Sequence, residues 1–212
     1  MRPFLLVLSS PSGGGKSTIA RHLLAAREDL GYSVSATTRV PRPGEQDGVD
    51  YHFIPADEFT RRVAAGEFVE WAEYGGSKYG TLKAEVGRVM AEGRNVVLDI
   101  EVAGARQVRK AFPESVQVFV LPPSGTALAQ RLRMRRTDDA AAQARRLAIA
   151  KEEIGAAGEY DYVIVNDDLV TAVAQVAAIL DAESRRVYRM TDLKDTVDLL
   201  RQELEAAVAR NP

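Results

Sequence analysis

Residues 4–18 read FLLVLSSPSGGGKST, and the fold turns on how that run divides. Residues 4–8 are five unbroken apolar residues, the pattern of a short strand buried on both faces. Gly13, Gly14 and Gly15 follow, then Lys16, Ser17 and Thr18, and a helical pattern runs from Lys16 to Ala26. A strand, a glycine-rich turn and a helix in that order form an anion cradle. Glycines let successive backbone N–H groups face one centre, beside the positive end of the helix. The spacing is that of G-x-x-x-x-G-K-[ST], with Ser10 in place of the first glycine. That position lies where the strand ends, before the backbone wraps the anion. Serine fits there if its φ stays negative, and Pro11 biases Ser10 toward extended geometry. Ser12, Gly13, Gly14, Gly15, Lys16, Ser17 and Thr18 are therefore expected to hold a nucleoside triphosphate. In such a loop the lysine reaches the β- and γ-phosphates and the next hydroxyl ligates Mg²⁺, the role expected of Ser17. The alternative is a Gly/Ser turn beside a solvated lysine, which leaves the strand, the spacing and the Ser-Thr pair unexplained.

The remaining composition narrows the classes. The 212 residues suffice for one large domain with inserts and a sizeable core. A net charge of −2 offers no basic field for nucleic acid, so any bound anion must be held locally. Cysteine is absent, which excludes disulfides and thiolate metal sites and fits a reducing compartment. His22 and His52 are the only imidazoles, too few for a transition-metal cluster. The N-terminus mimics a secretion signal, but its apolar run is too short for one and for a bilayer span. The expectation is a cytoplasmic protein with neither a membrane nor a nucleic-acid partner.

Further short apolar runs at 96–98, Val116–Leu121 and Tyr162–Val165 read as buried parallel strands, with 32–35 a weaker fifth. Helical patterns lie between them, at 82–92, Val102–Ala111, 125–134, 140–156 and onward from Leu169. Strands alternating with helices predict an α/β fold with a central parallel sheet in three layers. Residues 36–81 break that rhythm with prolines, glycines and β-like pieces around a short helix, for which Asp57 is the expected cap. Such an insert carries substrate contacts, because ligands bind at the carboxyl ends of parallel strands.

Within the insert, SVSATTRVPRPGEQDGVDYHF presents Arg39 and Arg42 three residues apart, the latter between two prolines. Two arginines on a stiffened loop suit a phosphate; two solvated loop arginines are the alternative. That stretch, together with SSPSGGGKST, GEFVEWAEYGGSKYGT, VVLDIE and YDYVIVNDD, resembles guanylate kinase in order and spacing, over residues 3 to 190.

The resemblance implies transfer of the γ-phosphoryl group of ATP to GMP, with dGMP a second acceptor, in the presence of Mg²⁺. It implies a core of residues 1–34, 82–134 and 157–190, a GMP-binding α+β insert at 35–81 and a helical lid at 135–156, leaving 191–212 as an extension. It places Ser35, Arg39, Arg42, Tyr51 and Tyr79 around GMP, with Glu45 supporting the arginines. Glu70, Ser35 and Thr81 would meet the guanine. A carboxylate suits guanine because N1–H and N2–H offer two donors on one edge, where adenine offers no such pair. Asp99 closes an apolar strand beside the phosphate loop and either holds Mg²⁺ through water, orients guanine or orients Arg39. Glu101 stands where the family more often has Asp, and Ala103 where Gln is common.

The resemblance further implies a mobile lid whose Arg135 and Arg146 close on the phosphates, beside Arg39 and Lys16 as the charges that stabilise transfer. Here Met134 and Arg136 replace the glycines common in that lid. Asn166 is expected near the adenine or ribose of ATP, although NDDL also reads as a helix cap. In the extension, Leu193, Val197, Leu200 and Leu204 recur at helical spacing; packing on the core is the expectation, with pairing in a homodimer or fraying of a monomer as alternatives. Two other functions compete: a non-catalytic scaffold for phosphopeptides, and a phosphate-loop kinase for another small phosphorylated acceptor.

Overall fold

The computed structural model describes residues 1–133 and 140–210. Five parallel strands form the central sheet: β1 (Leu5–Ser9), β2 (Leu30–Tyr32), β7 (Asn95–Asp99), β8 (Val116–Leu121) and β9 (Tyr162–Val165). Their order is β2-β7-β1-β8-β9, with β1 at the centre. All five residues of β1 are buried, and alternation sorts them between two layers. Leu6 and Leu8 pack with Ile19 and Leu23 of α1 (Lys16–Ala26) and with Val176 and Leu180 of α7 (Leu169–Ser184). Leu5 and Val7 pack with Val86 and Val89 of α3 (Lys83–Ala91) and Val108 of α4 (Val102–Ala111). A three-layer α/β fold results. Because β1 and β7 run parallel with Leu8 beside Asp99, the glycine loop and Asp99 emerge at the same edge of the sheet.

A second sheet has the order β4-β3-β6-β5 and comprises β3 (Ala36–Thr37), β4 (His52–Phe53), β5 (Phe68–Tyr74) and β6 (Ser77–Leu82). Its apolar face, with Phe68 and Leu82, packs on Phe59 of α2 (Ala56–Ala64). Helices α5 (Gly125–Arg133) and α6 (Ala140–Gly155) meet through Leu128, Leu132 and Ala150.

Three expectations are corrected. The weak strand lies at Leu30–Tyr32 rather than 32–35, since Leu30 is drawn into the core and Gly31 fits under Val89. Asp57 does not cap α2: Pro55 occupies the cap position, and Asp57 sits in the first turn, where its charge still favours the helix terminus. The C-terminal helix α8 (Leu193–Arg210) has no buried residue, so it does not pack on the core; Leu200 and Leu204 are exposed.

Candidate active site

The glycine loop has the geometry that its sequence asks for. Gly13 and Gly15 adopt φ of 85° and 102°, conformations that a side chain would strain, while no other residue type among those described has positive φ. Ser10 is therefore at ease in place of glycine: it is buried, and its hydroxyl donates to Pro11 O at 2.9 Å. A Cβ at Gly14 would stand 2.7 Å from the Ser10 Cβ, so the serine that replaces the first glycine packs closely against the bare Cα of Gly14. Asn166, at the end of β9, donates from Nδ2 to Gly14 O at 2.9 Å and lies against the bare Cα of Gly15. Its side chain supports the loop, and Asp168 caps α7. Gly15 holds the cap position of α1, and no side chain caps that helix, which leaves its positive end for an anion.

Lys16 points across the loop to the end of β7. Its Nζ donates to Glu101 Oε1 at 2.9 Å and lies 3.5 Å from Asp99 Oδ1. Burial opposes its charge, but Asp99, Glu101 and Glu153 outweigh that and raise its pKa above the ordinary range. Asp99 Oδ1 and Glu101 Oε2 are buried without a hydrogen-bond partner. Glu153, from α6, accepts the Ser12 N–H at Oε2 over 3.1 Å. Burial and the Glu101 charge push Glu153 up to about 7.

Two cavities flank the loop, and Gly13, Lys16 and Ser17 line both. The larger, about 680 Å³, runs toward the second sheet. Ser35, Arg39, Arg42, Glu45, Tyr51, Glu70, Tyr79, Asp99 and Glu101 all line it. Glu45 organises the two arginines by accepting from Arg39 Nη2 at 2.8 Å and from the Arg42 backbone N–H at 2.7 Å. The Arg39 guanidinium also lies 5.4 Å from the Tyr51 ring centre, and the rings of Tyr51 and Tyr79 meet edge to face. Glu70, 5% exposed, accepts from Thr81 Oγ1 at 2.6 Å. Burial pushes its carboxyl up to about 6, against the pull of the Thr81 bonds.

The smaller cavity, about 450 Å³, lies on the other side of the loop; Thr18, Arg21, Arg131, Asn166 and Leu169 line it. Burial raises the pKa of the Tyr74 phenol, and the charge of Arg146, half-buried on α6, offsets a small part of that rise. Tyr74 itself lines the larger cavity. Arg135, with Met134 and Arg136, lies outside the described residues. Glu153, Arg131 and Tyr74 carry no sequence signal of their own; they reach the site only through the packing of α5, α6 and β5.

The family model for guanylate kinase matches residues 2–183, most of the chain. The chain belongs to the guanylate kinase family. Among relatives, the guanylate kinase of Symbiobacterium thermophilum is 54% identical over 185 residues, covering 87% of this chain and 88% of that protein. The guanylate kinase of Maricaulis maris is 48% identical over 203 residues, covering 95% and 93%. The fold is similar to the crystal structure of guanylate kinase from Anaplasma phagocytophilum, with a TM-score of 0.75, 35% identity and coverage of 91% and 92%.

Proposed function

We propose that the chain transfers the γ-phosphoryl group of ATP to GMP, and to dGMP, giving ADP and GDP or dGDP. One observation carries this reading: a single phosphate loop lines two cavities, one walled by arginines and a buried carboxylate, the other by Arg131 and Asn166. Two nucleotides placed tail to tail would meet at Lys16. The guanylate kinase family to which the chain belongs supports the choice of substrates.

GMP occupies the larger cavity. Arg39 and Arg42 hold its phosphate with Tyr51 and Tyr79, and Glu70 accepts from guanine N1–H and N2–H, with Ser35 and Thr81 alongside. ATP lies along the loop from Ser12 to Thr18, with Asn166 supporting that loop and lining the cavity that receives the adenosine. A GMP phosphate oxygen attacks the γ-phosphorus, the bond to the β-bridging oxygen breaks, and ADP leaves. No base is needed, because a phosphomonoester with a second pKa near 6 is largely ionised at about pH 7. Catalysis is alignment and charge neutralisation by Lys16, Arg39 and the lid arginines Arg135 and Arg146.

The residues also fit Mg²⁺. Asp99 Oδ1 is a buried carboxylate oxygen with no hydrogen bond, and Ser17 is among the residues that line both cavities. Among the described residues no group of three or more His, Cys, Asp or Glu forms a metal cage, so the nucleotide phosphates would complete the hard-oxygen set. When bound, the ion neutralises charge on the β- and γ-phosphates. We assign residues 35–81 to GMP binding, 135–156 to the lid and the rest up to 190 to the core. Among the described residues no helix is long and apolar enough to cross a membrane, and we place the reaction in the cytoplasm, where ATP is abundant.

The test is ADP release in a coupled assay with GMP, dGMP, AMP, CMP, UMP or no acceptor. Release that depends on GMP and dGMP is expected. Activity with AMP alone would overturn the guanine assignment, and no acceptor-dependent release would favour a non-catalytic binding domain.

A further inference from the structure

We propose that Gly104 and Gln107, neighbours on one face of α4, are positioning residues that set where the Glu70 carboxylate stands and thereby tune the selection of guanine. The inference rests on the reading of Glu70 as the acceptor of the guanine donors.

β5 carries Glu70 and is one of the two edge strands of the second sheet. An edge strand has backbone groups that no neighbouring strand satisfies. At Trp71, the residue next to Glu70, the Gln107 side chain takes that place. Its Oε1 accepts the Trp71 N–H at 3.2 Å and its Nε2 donates to Trp71 O at 2.7 Å. Nε2 also reaches Ala103 O at 3.3 Å, within α4 itself. One planar amide thus supplies both partners that an adjoining strand would give and ties the second sheet to a helix of the core. The β5–β6 pairing shifts register between Phe68 and Glu70. Bulges of this kind re-aim side chains, so the strand needs fixing at this point.

Gly104 acts from the same helix face, three residues before Gln107. A Cβ at 104 would press on Glu70 Oε2 and stand 3.0 Å from Glu70 Cδ. The carboxylate therefore rests on bare helix backbone. Glycine inside a helix costs stability relative to alanine, and this glycine has a negative φ, so the backbone alone does not ask for it. Room for the carboxylate does.

The test compares Gly104→Ala, Gln107→Leu and Glu70→Gln with the unaltered protein. The readouts are thermal midpoint, KM for ATP, and kcat/KM for GMP against IMP, the purine that lacks the 2-amino donor. Gly104→Ala and Gln107→Leu should each reduce the GMP:IMP preference by about three- to tenfold, the scale of misaligning one ordinary hydrogen bond, with KM for ATP within about twofold. A purely structural role predicts lower midpoints with an unchanged preference, and that pattern in both variants would overturn the proposal. Glu70→Gln locates the failure. If it too keeps the full preference for GMP, Glu70 is not the acceptor and the proposal falls with that reading. If it loses the preference while both α4 variants keep it, only the α4 proposal falls.

Discussion

Replacing Lys16 with alanine is expected to lower kcat for GMP phosphorylation by at least about 10²-fold, the scale of losing one preorganised charge contact. Of the residues lining both cavities, Gly13, Lys16 and Ser17, only the lysine is charged. The surroundings show what that charge does. Glu101 lies 2.9 Å and Asp99 3.5 Å from its ammonium group, and Glu153 adds a third carboxylate within electrostatic reach. Before nucleotide arrives, these acids hold the lysine at the wall that the two cavities share. When phosphates arrive, the ammonium is the group that offsets their repulsion by the same acids. Alanine leaves three carboxylates facing a polyanion, so the affinity for ATP should fall along with kcat. Steady-state kinetics and an ATP titration measure the two separately. Turnover near that of the unaltered protein would remove the loop from the mechanism.

Exchanging Glu70 for glutamine should reduce kcat/KM for GMP by about 10²–10⁴-fold, because two hydrogen bonds to a charged acceptor, each worth about 1.5–3 kcal/mol, give way to one bond to a neutral amide and one donor facing a donor. The amide can accept one guanine donor, but its NH₂ group faces the other. Stability should move the opposite way. Burial raises the Glu70 carboxyl from 4.5 to about 6, so the folded chain holds that proton more tightly than the unfolded one. The stability this contributes is full below about 4.5 and is lost as pH rises through about 6. At neutral pH the folded chain carries a buried charge that glutamine lacks, so the variant should melt at or above the midpoint of the unaltered protein. Activity should also respond to acid in a defined way. The unaltered protein needs Glu70 ionised, and GMP needs its phosphate ionised, with a pKa of about 6. Log kcat/KM for GMP should therefore approach a slope of two below that pH, and a slope of one in the glutamine variant. Equal slopes would detach Glu70 from guanine recognition.

Where residues act through their chain neighbours, the sequence was readable. The helices Lys16–Ala26 and Val102–Ala111 and the strands Val116–Leu121 and Tyr162–Val165 fall on their apolar periodicity. The glycine triplet marks a loop because backbone conformation there is local. Reading failed where a distant partner decides. Leu30 belongs to β2 because the core receives it, although Gly31 is a poor strand former. Asn166 could read as a helix cap, yet its amide serves Gly14, 152 residues away. Glu153 reaches Ser12 across 141 residues and Gln107 reaches Trp71 across 36, and neither has a local pattern that announces it. The C-terminal helix is the opposite case: its apolar repeat is plain, but periodicity says that a helix has a face and not what covers it.

The central claim is that a phosphoryl group passes directly from one bound nucleotide to another, with no protein group carrying it between them. Stereochemistry at the transferred phosphorus tests this most directly. The substrate is ATP made chiral at a γ-thiophosphate by oxygen isotopes, incubated with GMP, and the configuration is read at the β-phosphorus of the GDP analogue formed. A single in-line transfer predicts inversion. Retention would require a phosphorylated protein intermediate and would contradict the account.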